Sequence, residues 1–288
     1  MNEFPKKIAI IGVGLIGGSI ALGLKQHLGA KITILGSCNN IERTKKAKES
    51  GIIDEVIDLH AQPQGLRSVT LIIIATPVGE TIKLLELISK IKIKNCLIVD
   101  VGSTKEFVIN TANQFLGPNI SFIGTHPMAG SELSGFENAD PNLFRNKPWI
   151  VCSNNHPIIS ELIDILGAKK ILMDAKKHDE LTSWASHLNL VSSSILINAI
   201  GKQKNWPEVA KIASTGFRDT TRLASSNVEM KKDIIFTNKK NIIGSLIKFQ
   251  KEIEVFVKLL QNNDTFKISN YLSTAKTIRD NWIENNFS

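Results

Sequence analysis

The chain opens on an apolar run, passes through glycines, and becomes apolar again at helical spacing. Ile8 to Ile11 have the length and β-branching of a buried strand. They lead straight into Gly12-Val13-Gly14-Leu15-Ile16-Gly17, and Ile20, Leu22 and Leu24 then mark a helix. Further strands are predicted at Lys31 to Gly36, Val69 to Ala75, Cys96 to Val99, Ile120 to Gly124, Trp149 to Ser153 and Lys169 to Met173, with a helix over 157–166. From Asp174 the strand signals stop. Segments 174–203, 226–238, 239–262 and 264–285 carry apolar residues at three- and four-residue spacing and few glycines, the pattern of helices. The implied architecture is an α/β domain with a Rossmann-type parallel sheet over 1–173, followed by an all-α domain over 174–288. Long helices of this kind serve bundle packing or a dimer interface more often than chemistry.

Strand, glycine turn and helix in immediate succession form the context of a dinucleotide-binding fingerprint. Gly12 permits the tight turn, Gly14 leaves room for a pyrophosphate against the backbone, and Gly17 lets the helix pack on the strand. Leu15 and Ile16 open that helix, whose N-terminus offers free N–H groups and the positive end of its dipole to phosphates. The acidic residue that would hold a ribose hydroxyl is expected about twenty residues later. It is missing: the segment reads Leu35-Gly36-Ser37-Cys38-Asn39, and the first acid is Glu42. Without that carboxylate a 2′-phosphate is not repelled. Ser37 and Asn39 can donate to it, and Arg43, Lys45 and Lys46 follow, either as its counter-charges or as the solvated face of a helix. The segment favours NADP over NAD, or acceptance of both.

Other strands end in polar loops at the same sheet edge, where open α/β folds bind ligands. Ala75-Thr76-Pro77 reads as a helix start with threonine as N-cap and proline in the first turn. Asp100-Val101-Gly102-Ser103-Thr104-Lys105-Glu106 contains a match to a capping box, so Ser103 either starts a helix or faces a ligand, or does both. Ile120 to Gly124 delivers Thr125-His126-Pro127-Met128-Ala129-Gly130-Ser131-Glu132. A histidine just past a strand at the ligand edge is placed for proton chemistry. Small residues after it let a substrate come close. In the helical half, His178 and Asp179 precede His187 on roughly one stripe, and Gly216 to Arg222 is a polar interruption between helices. Its two arginines suit an anionic ligand or a salt-bridged connection.

Bulk properties narrow the function classes. The 288 residues suit two domains, with 42% hydrophobic and 22% charged positions. The net charge of +8 comes mostly from lysines among interleaved acids, and no nucleic-acid-binding motif accompanies it. We read this charge as solvated surface that also steers an anionic substrate. No run approaches a membrane span and the start has no signal-peptide pattern, so a soluble, cytoplasmic protein is expected. Cys38, Cys96 and Cys152 are odd in number and lack metal spacing. They are expected to be reduced, with no disulfide and no metal site.

Taken together, Gly12-x-Gly14-Leu15-Ile16-Gly17-Gly18-Ser19, Asp100-x-x-Ser103-x-Lys105, His126-Pro127-Met128-Ala129-Gly130-Ser131-Glu132-x-Ser134-Gly135, His178-Asp179, Ser186-His187-Leu188 and Gly216-Phe217-Arg218-Asp219-x-Thr221-Arg222 resemble the prephenate/arogenate dehydrogenase family of tyrosine biosynthesis. The resemblance spans nearly the whole chain in order. It implies a helical domain that interlocks with its twin in a homodimer, and oxidative decarboxylation of a cyclohexadienol. His126 would accept the proton of the ring hydroxyl as hydride leaves the same carbon for the nicotinamide, and Ser103 would orient both. Arg222 would hold a substrate carboxylate, with Glu132 and Asp179 joining it in an ionic network, and Ser131 and His187 would line the substrate site. Ala75 and Thr76 join the glycines in the cofactor site. The missing acid after the second strand resembles the NADP-using arogenate dehydrogenases, so conversion of arogenate to tyrosine with NADP is the leading expectation. Prephenate conversion to 4-hydroxyphenylpyruvate with NAD or NADP is the alternative, and a non-catalytic dinucleotide sensor ranks below both. The fused mutase or amino-acid-sensing segments of some family members are not expected here.

Overall fold

The computed structural model describes residues 4–130, 133–153 and 155–287. Its centre is one eight-stranded sheet in the order β3-β2-β1-β4-β5-β6-β7-β8. The strands are β1 (Lys7–Ile11), β2 (Thr33–Ser37), β3 (Glu55–Val56), β4 (Leu71–Ile74), β5 (Cys96–Asp100), β6 (Ile120–Pro127), β7 (Pro148–Cys152) and β8 (Lys169–Leu172). All neighbours pair in parallel except β6 and β7, which are antiparallel. The crossover helices are α1 (Leu15–Leu28), α2 (Ile41–Glu49), α3 (Val78–Ser89), α4 (Glu106–Phe115) and α5 (Pro157–Ile165). Sequence order reverses at β1, between β2 and β4, and the carboxyl ends of these strands flank a ligand crevice.

The sheet is covered on both faces, which is why its central strands read as continuous apolar runs. Ile8 and Ile10 join Ile20, Leu24, Ile34 and Trp149 in one core, while Ala9 and Ile11 join Ile72, Ile74, Leu85 and Val108 in the other. Alternation along β1 thus divides its side chains between two buried layers. Cys38, Cys96 and Cys152 are free thiols, and burial pushes Cys96 and Cys152 up to about 12.

Past Leu172 every element is helical: α6 (Ala175–Thr182), a π-helical turn at Ser183–His187, α7 (Leu188–Gly201), α8 (Trp206–Ile212), α9 (Thr215–Thr221), α10 (Val228–Thr237), α11 (Lys239–Gln261) and α12 (Thr265–Phe287). The Gly216 to Arg222 segment, expected as an interruption, is for the most part the short helix α9. By compactness the chain divides after Lys239, with helices α6 to α10 in the sheet-containing unit and nearly all of α11 and the whole of α12 in the other. The expected division at 173/174 therefore follows secondary structure rather than compactness. No helix among the described residues is long and apolar enough to cross a membrane.

Two local readings are corrected. The helix after β4 begins at Val78 with Pro77 in the capping position, and Thr76 instead bonds the Thr81 hydroxyl at 3.0 Å. Nor does Ser103 cap α4, whose flanking residue is Lys105 and which has no cap from that position. The cap comes from another element, as described next.

Candidate active site

The glycine turn is held against the ends of two neighbouring strands. Gly12 N–H and Val13 N–H both donate to the Ser37 carbonyl, at 2.8 and 3.1 Å. Gly12 sits at φ +95°, and a Cβ there would lie 2.5 Å from the Ala75 carbonyl oxygen. A Cβ on Gly17 would lie 2.3 Å from the Gly12 carbonyl oxygen. Gly14 differs: a Cβ there would meet nothing within 4 Å, and no side chain caps the helix it opens. This open space before uncapped backbone N–H groups fits a dinucleotide pyrophosphate. Ala75 and Thr76 stand beside Gly12.

At the end of β2, Ser37 is buried and Asn39 exposed. Arg43 pairs with Glu137 at 3.3 Å and lies 5.8 Å from the centre of the Phe136 ring. Cation and small polar residues therefore share one end of the crevice, with no carboxylate in the Ser37 to Asn39 segment.

His126 is not in a loop. β6 continues through Pro127 because β7 pairs with it antiparallel, placing His126 opposite Ile150. A ladder position fixes the imidazole more firmly than a loop would. The half-buried ring lines a cavity of about 430 Å³ with Pro127, Met128, Ala129, Gly130, Leu143, Lys147, Ala185 and Ser186. Gly130 approaches Ile16 in the first turn of α1, directly after the glycine turn, since a Cβ on it would lie 4.0 Å from the Ile16 Cδ1. The cavity thus adjoins the dinucleotide crevice.

Behind His126 lies a buried polar network. His126 Nδ1 contacts His178 Nε2 at 2.9 Å, and His178 Nδ1 contacts Asp179 Oδ1 at 2.7 Å. Asp179 accepts from the backbone N–H of Lys105 at 2.8 Å and of Glu106 at 3.0 Å. A carboxylate from α6 therefore caps α4, the role the sequence suggested for Ser103. Lys105 is fully buried, donating to Asp100 Oδ2 and, at 2.7 Å, to the Thr125 carbonyl next to His126. Burial pushes the Asp100 carboxyl up, partly offset by the Lys105 charge. Burial first, then the neighbouring His178, Lys105 and His187, hold His126 well below the usual histidine range. It is a neutral imidazole at neutral pH.

The other expected site residues are distributed unevenly. Ser103 is half-buried in the loop after β5, while His126 Nδ1 is engaged by His178 instead. Asp179, expected beside Arg222, is 1% exposed and spends both oxygens on α4 and His178, so it has no place in a solvated ionic network. His187 is buried in the π-helical turn, with Nδ1 3.1 Å from Asn238 Nδ2 and Nε2 without a partner among the described residues. Burial lowers it to about 4. It is not among the residues lining the cavity; Ser186 beside it is. Arg222 is exposed on the 3₁₀ turn after α9. Ser131 and Glu132 lie outside the described residues. Lys105 and His178 are the site residues that sequence reasoning left without a role; their signal was adjacency to Asp100-x-x-Ser103 and to Asp179.

Comparison with known proteins was consistent with this geometry. Residues 20–176 match the family described as prephenate dehydrogenase, nucleotide-binding domain, and residues 174–274 match prephenate dehydrogenase, dimerization domain. A prephenate dehydrogenase of Lactococcus lactis subsp. cremoris is 36% identical over 277 residues, covering 95% of this chain and 77% of the relative. The crystal structure of prephenate dehydrogenase from A. aeolicus, in complex with hydroxyphenyl propionate and NAD+, superposes with a TM-score of 0.89 at 27% identity, covering 98% and 99% of the two chains. Synechocystis arogenate dehydrogenase gives 0.78 at 28% identity, covering 96% and 99%.

Proposed function

The chain belongs to the prephenate dehydrogenase family, and from that premise we propose that it converts prephenate to 4-hydroxyphenylpyruvate by oxidative decarboxylation, using NAD or NADP. The observation that carries this reading is His126, a neutral imidazole on a cavity that adjoins the glycine turn. A bound nicotinamide supplies the hydride acceptor. His126 accepts the proton of the ring hydroxyl while hydride leaves the same carbon, so the developing positive charge is met by a base already in place. Loss of carbon dioxide then makes the ring aromatic, which drives the step forward. Gly12, Gly14, Leu15, Ile16 and Gly17 hold the dinucleotide, with Ala75 and Thr76 beside them. Arg222 takes a substrate carboxylate, and Ser103, Ser131 and Glu132 complete the substrate surroundings, with His187 buried behind the lining residue Ser186. We read 1–173 as the dinucleotide half and 174–288 as the substrate and dimerisation half; the two family matches, which change over at 174–176, support that division.

The sequence alone ranks arogenate with NADP first. That reading now stands second, because the relative at 36% identity acts on prephenate by its name, whereas the arogenate dehydrogenase neighbour is 28% identical. Two observations keep it in view: that neighbour, and the absence of an acid after β2. One experiment separates the readings. Purified protein is given prephenate or arogenate, each with NAD or NADP, and reduced cofactor is followed by absorbance. Prephenate turnover with either cofactor is the expected outcome. Turnover confined to arogenate with NADP would restore the other reading, and binding of NADP without turnover in any cell would leave a dinucleotide sensor.

A further inference from the structure

We infer that Asp179 and His178 act on His126 as a tautomer-setting relay, which keeps the proton on Nδ1 and so presents a bare Nε2 to the substrate. The inference rests on the proposed reaction, in which His126 is the base, and adds the two residues that make it one.

The chain of donors leaves little freedom once it is followed from its buried end. Asp179 accepts two backbone N–H groups, from Lys105 and Glu106, and neither of those donors can turn into an acceptor. Its carboxylate is therefore held as an anion, at the positive end of α4. An anionic carboxylate can only accept, so His178 Nδ1, 2.7 Å from Asp179 Oδ1, is the protonated nitrogen. In a neutral imidazole the other nitrogen is then the acceptor, and His178 Nε2 receives the proton of His126 Nδ1 across 2.9 Å. His126 Nε2 is left with its lone pair and takes no hydrogen bond from the described residues. The competing arrangement places a second proton on His178. That would set an imidazolium against the Asp179 carboxylate where His178 is 0% exposed, and a fully buried ion pair carries the desolvation cost of both charges. When His126 Nε2 takes the hydroxyl proton, the ring becomes an imidazolium whose Nδ1–H still points at His178. The positive charge is then opposed by Asp179 through one intervening ring. No proton needs to reach Asp179: the substrate O–H bond breaks as the Nε2–H bond forms, and the C–H bond of the same carbon breaks with the departing hydride.

His178 and Asp179 are thus positioning residues, and two measurements test them. The first uses wild-type protein with 15N-labelled histidine, its two-bond 1H–15N correlations recorded at pH 8, and His126 assigned by the signals lost in His126→Asn. Protonation at Nδ1 alone is expected. A proton at Nε2, alone or as well, would overturn the relay. The second compares two substitutions of similar polarity. A glutamine carbonyl can stand where His178 Nε2 stands, whereas an asparagine reaches only as far as Nδ1. His178→Gln should keep kcat within about 3-fold of wild type. His178→Asn should lose at least 10-fold in kcat with substrate KM within about 3-fold. Equal kcat in the two variants would overturn the inference, and where either variant fails to fold the spectra of the wild type still decide it. The tautomer is read without turnover, so an enzyme inactive on prephenate and arogenate would defeat the proposed reaction, and an Nε2-protonated His126 in an active enzyme would defeat the relay alone.

Discussion

At the scale of single residues, the chemistry turns on the charge state of His126. Replacing it by asparagine keeps the size and a hydrogen-bonding edge but removes the base. Turnover should fall by about 10²–10⁴-fold, while cofactor affinity measured by titration stays within about 2-fold; retained turnover would remove His126 from the reaction. The pH dependence has a definite sign. Burial, with His178, Lys105 and His187 beside it, lowers the histidine, and the base works only when unprotonated. Turnover is therefore lost as pH falls through that lowered value, and the acid limb of kcat should lie clearly below the ordinary histidine value of about 6.5. A limb at or above that value would mean that another group titrates. The position of His126 was legible in the sequence, because the apolar run Ile120 to Gly124 delivers it to the ligand edge of the sheet, although a histidine taken alone is more often structural. Its partners were only half legible. His178-Asp179 could be seen as a pair, but their target lies 52 residues away in sequence from His178, and only the packing of α6 against α4 brings it close. Ser103 misled for the same reason: a capping box is a local pattern, and a carboxylate from another helix took its place.

At the scale of elements, the glycine turn shows how one motif divides into framework and function. Gly12 and Gly14 look alike in the sequence, yet a Cβ at Gly12 would strike the Ala75 carbonyl and at Gly14 would meet nothing. Gly12→Ala also forces alanine to φ +95°. It should cost about 2–4 kcal/mol of stability, read as a fall in the denaturation midpoint. Gly14→Ala should leave the midpoint nearly unchanged and raise the dinucleotide Kd by at least 10-fold, because its methyl stands in the space where the phosphates approach. Similar effects of both changes on stability would mean that Gly14 is framework too. The strands were readable because central parallel strands are apolar on both faces, and each predicted strand is present within two residues except β6, which runs three residues further. That extension was hidden because Thr125, His126 and Pro127 do not read as strand; the antiparallel partner β7 recruits them. The two-residue strand β3 at the sheet edge left no apolar run to detect.

At the scale of the whole molecule, the helices beyond Lys239 pose a solvation problem of their own. Along α11, Ile243, Ile247, Ile253, Val257 and Leu260 are exposed, with Ile253, Val257 and Leu260 at helical four- and three-residue spacing. Along α12, Phe266, Leu272 and Ile278 are exposed, the first of them by 74%. Apolar side chains in such number on two helices of 23 residues are seldom left to water, since each buried in an interface is worth about 1.5–3 kcal/mol. A second copy of the chain is the occupant that the dimerization-domain match supports. The expected result of sedimentation at micromolar concentration is the mass of two chains. Ile247→Glu combined with Ile253→Glu should shift it to one, and a wild-type chain sedimenting as a monomer would dismiss the dimer. Charge adds a second, independent reading of the same equilibrium. Each chain carries +8, so association brings like charges together, and the opposing field is screened within about 8 Å at physiological ionic strength but reaches about 30 Å at 0.01 M. An interface held by apolar burial against that repulsion should dissociate more readily at low salt, whereas one held by ion pairs would tighten there; the direction of the salt dependence tells which force assembles the molecule.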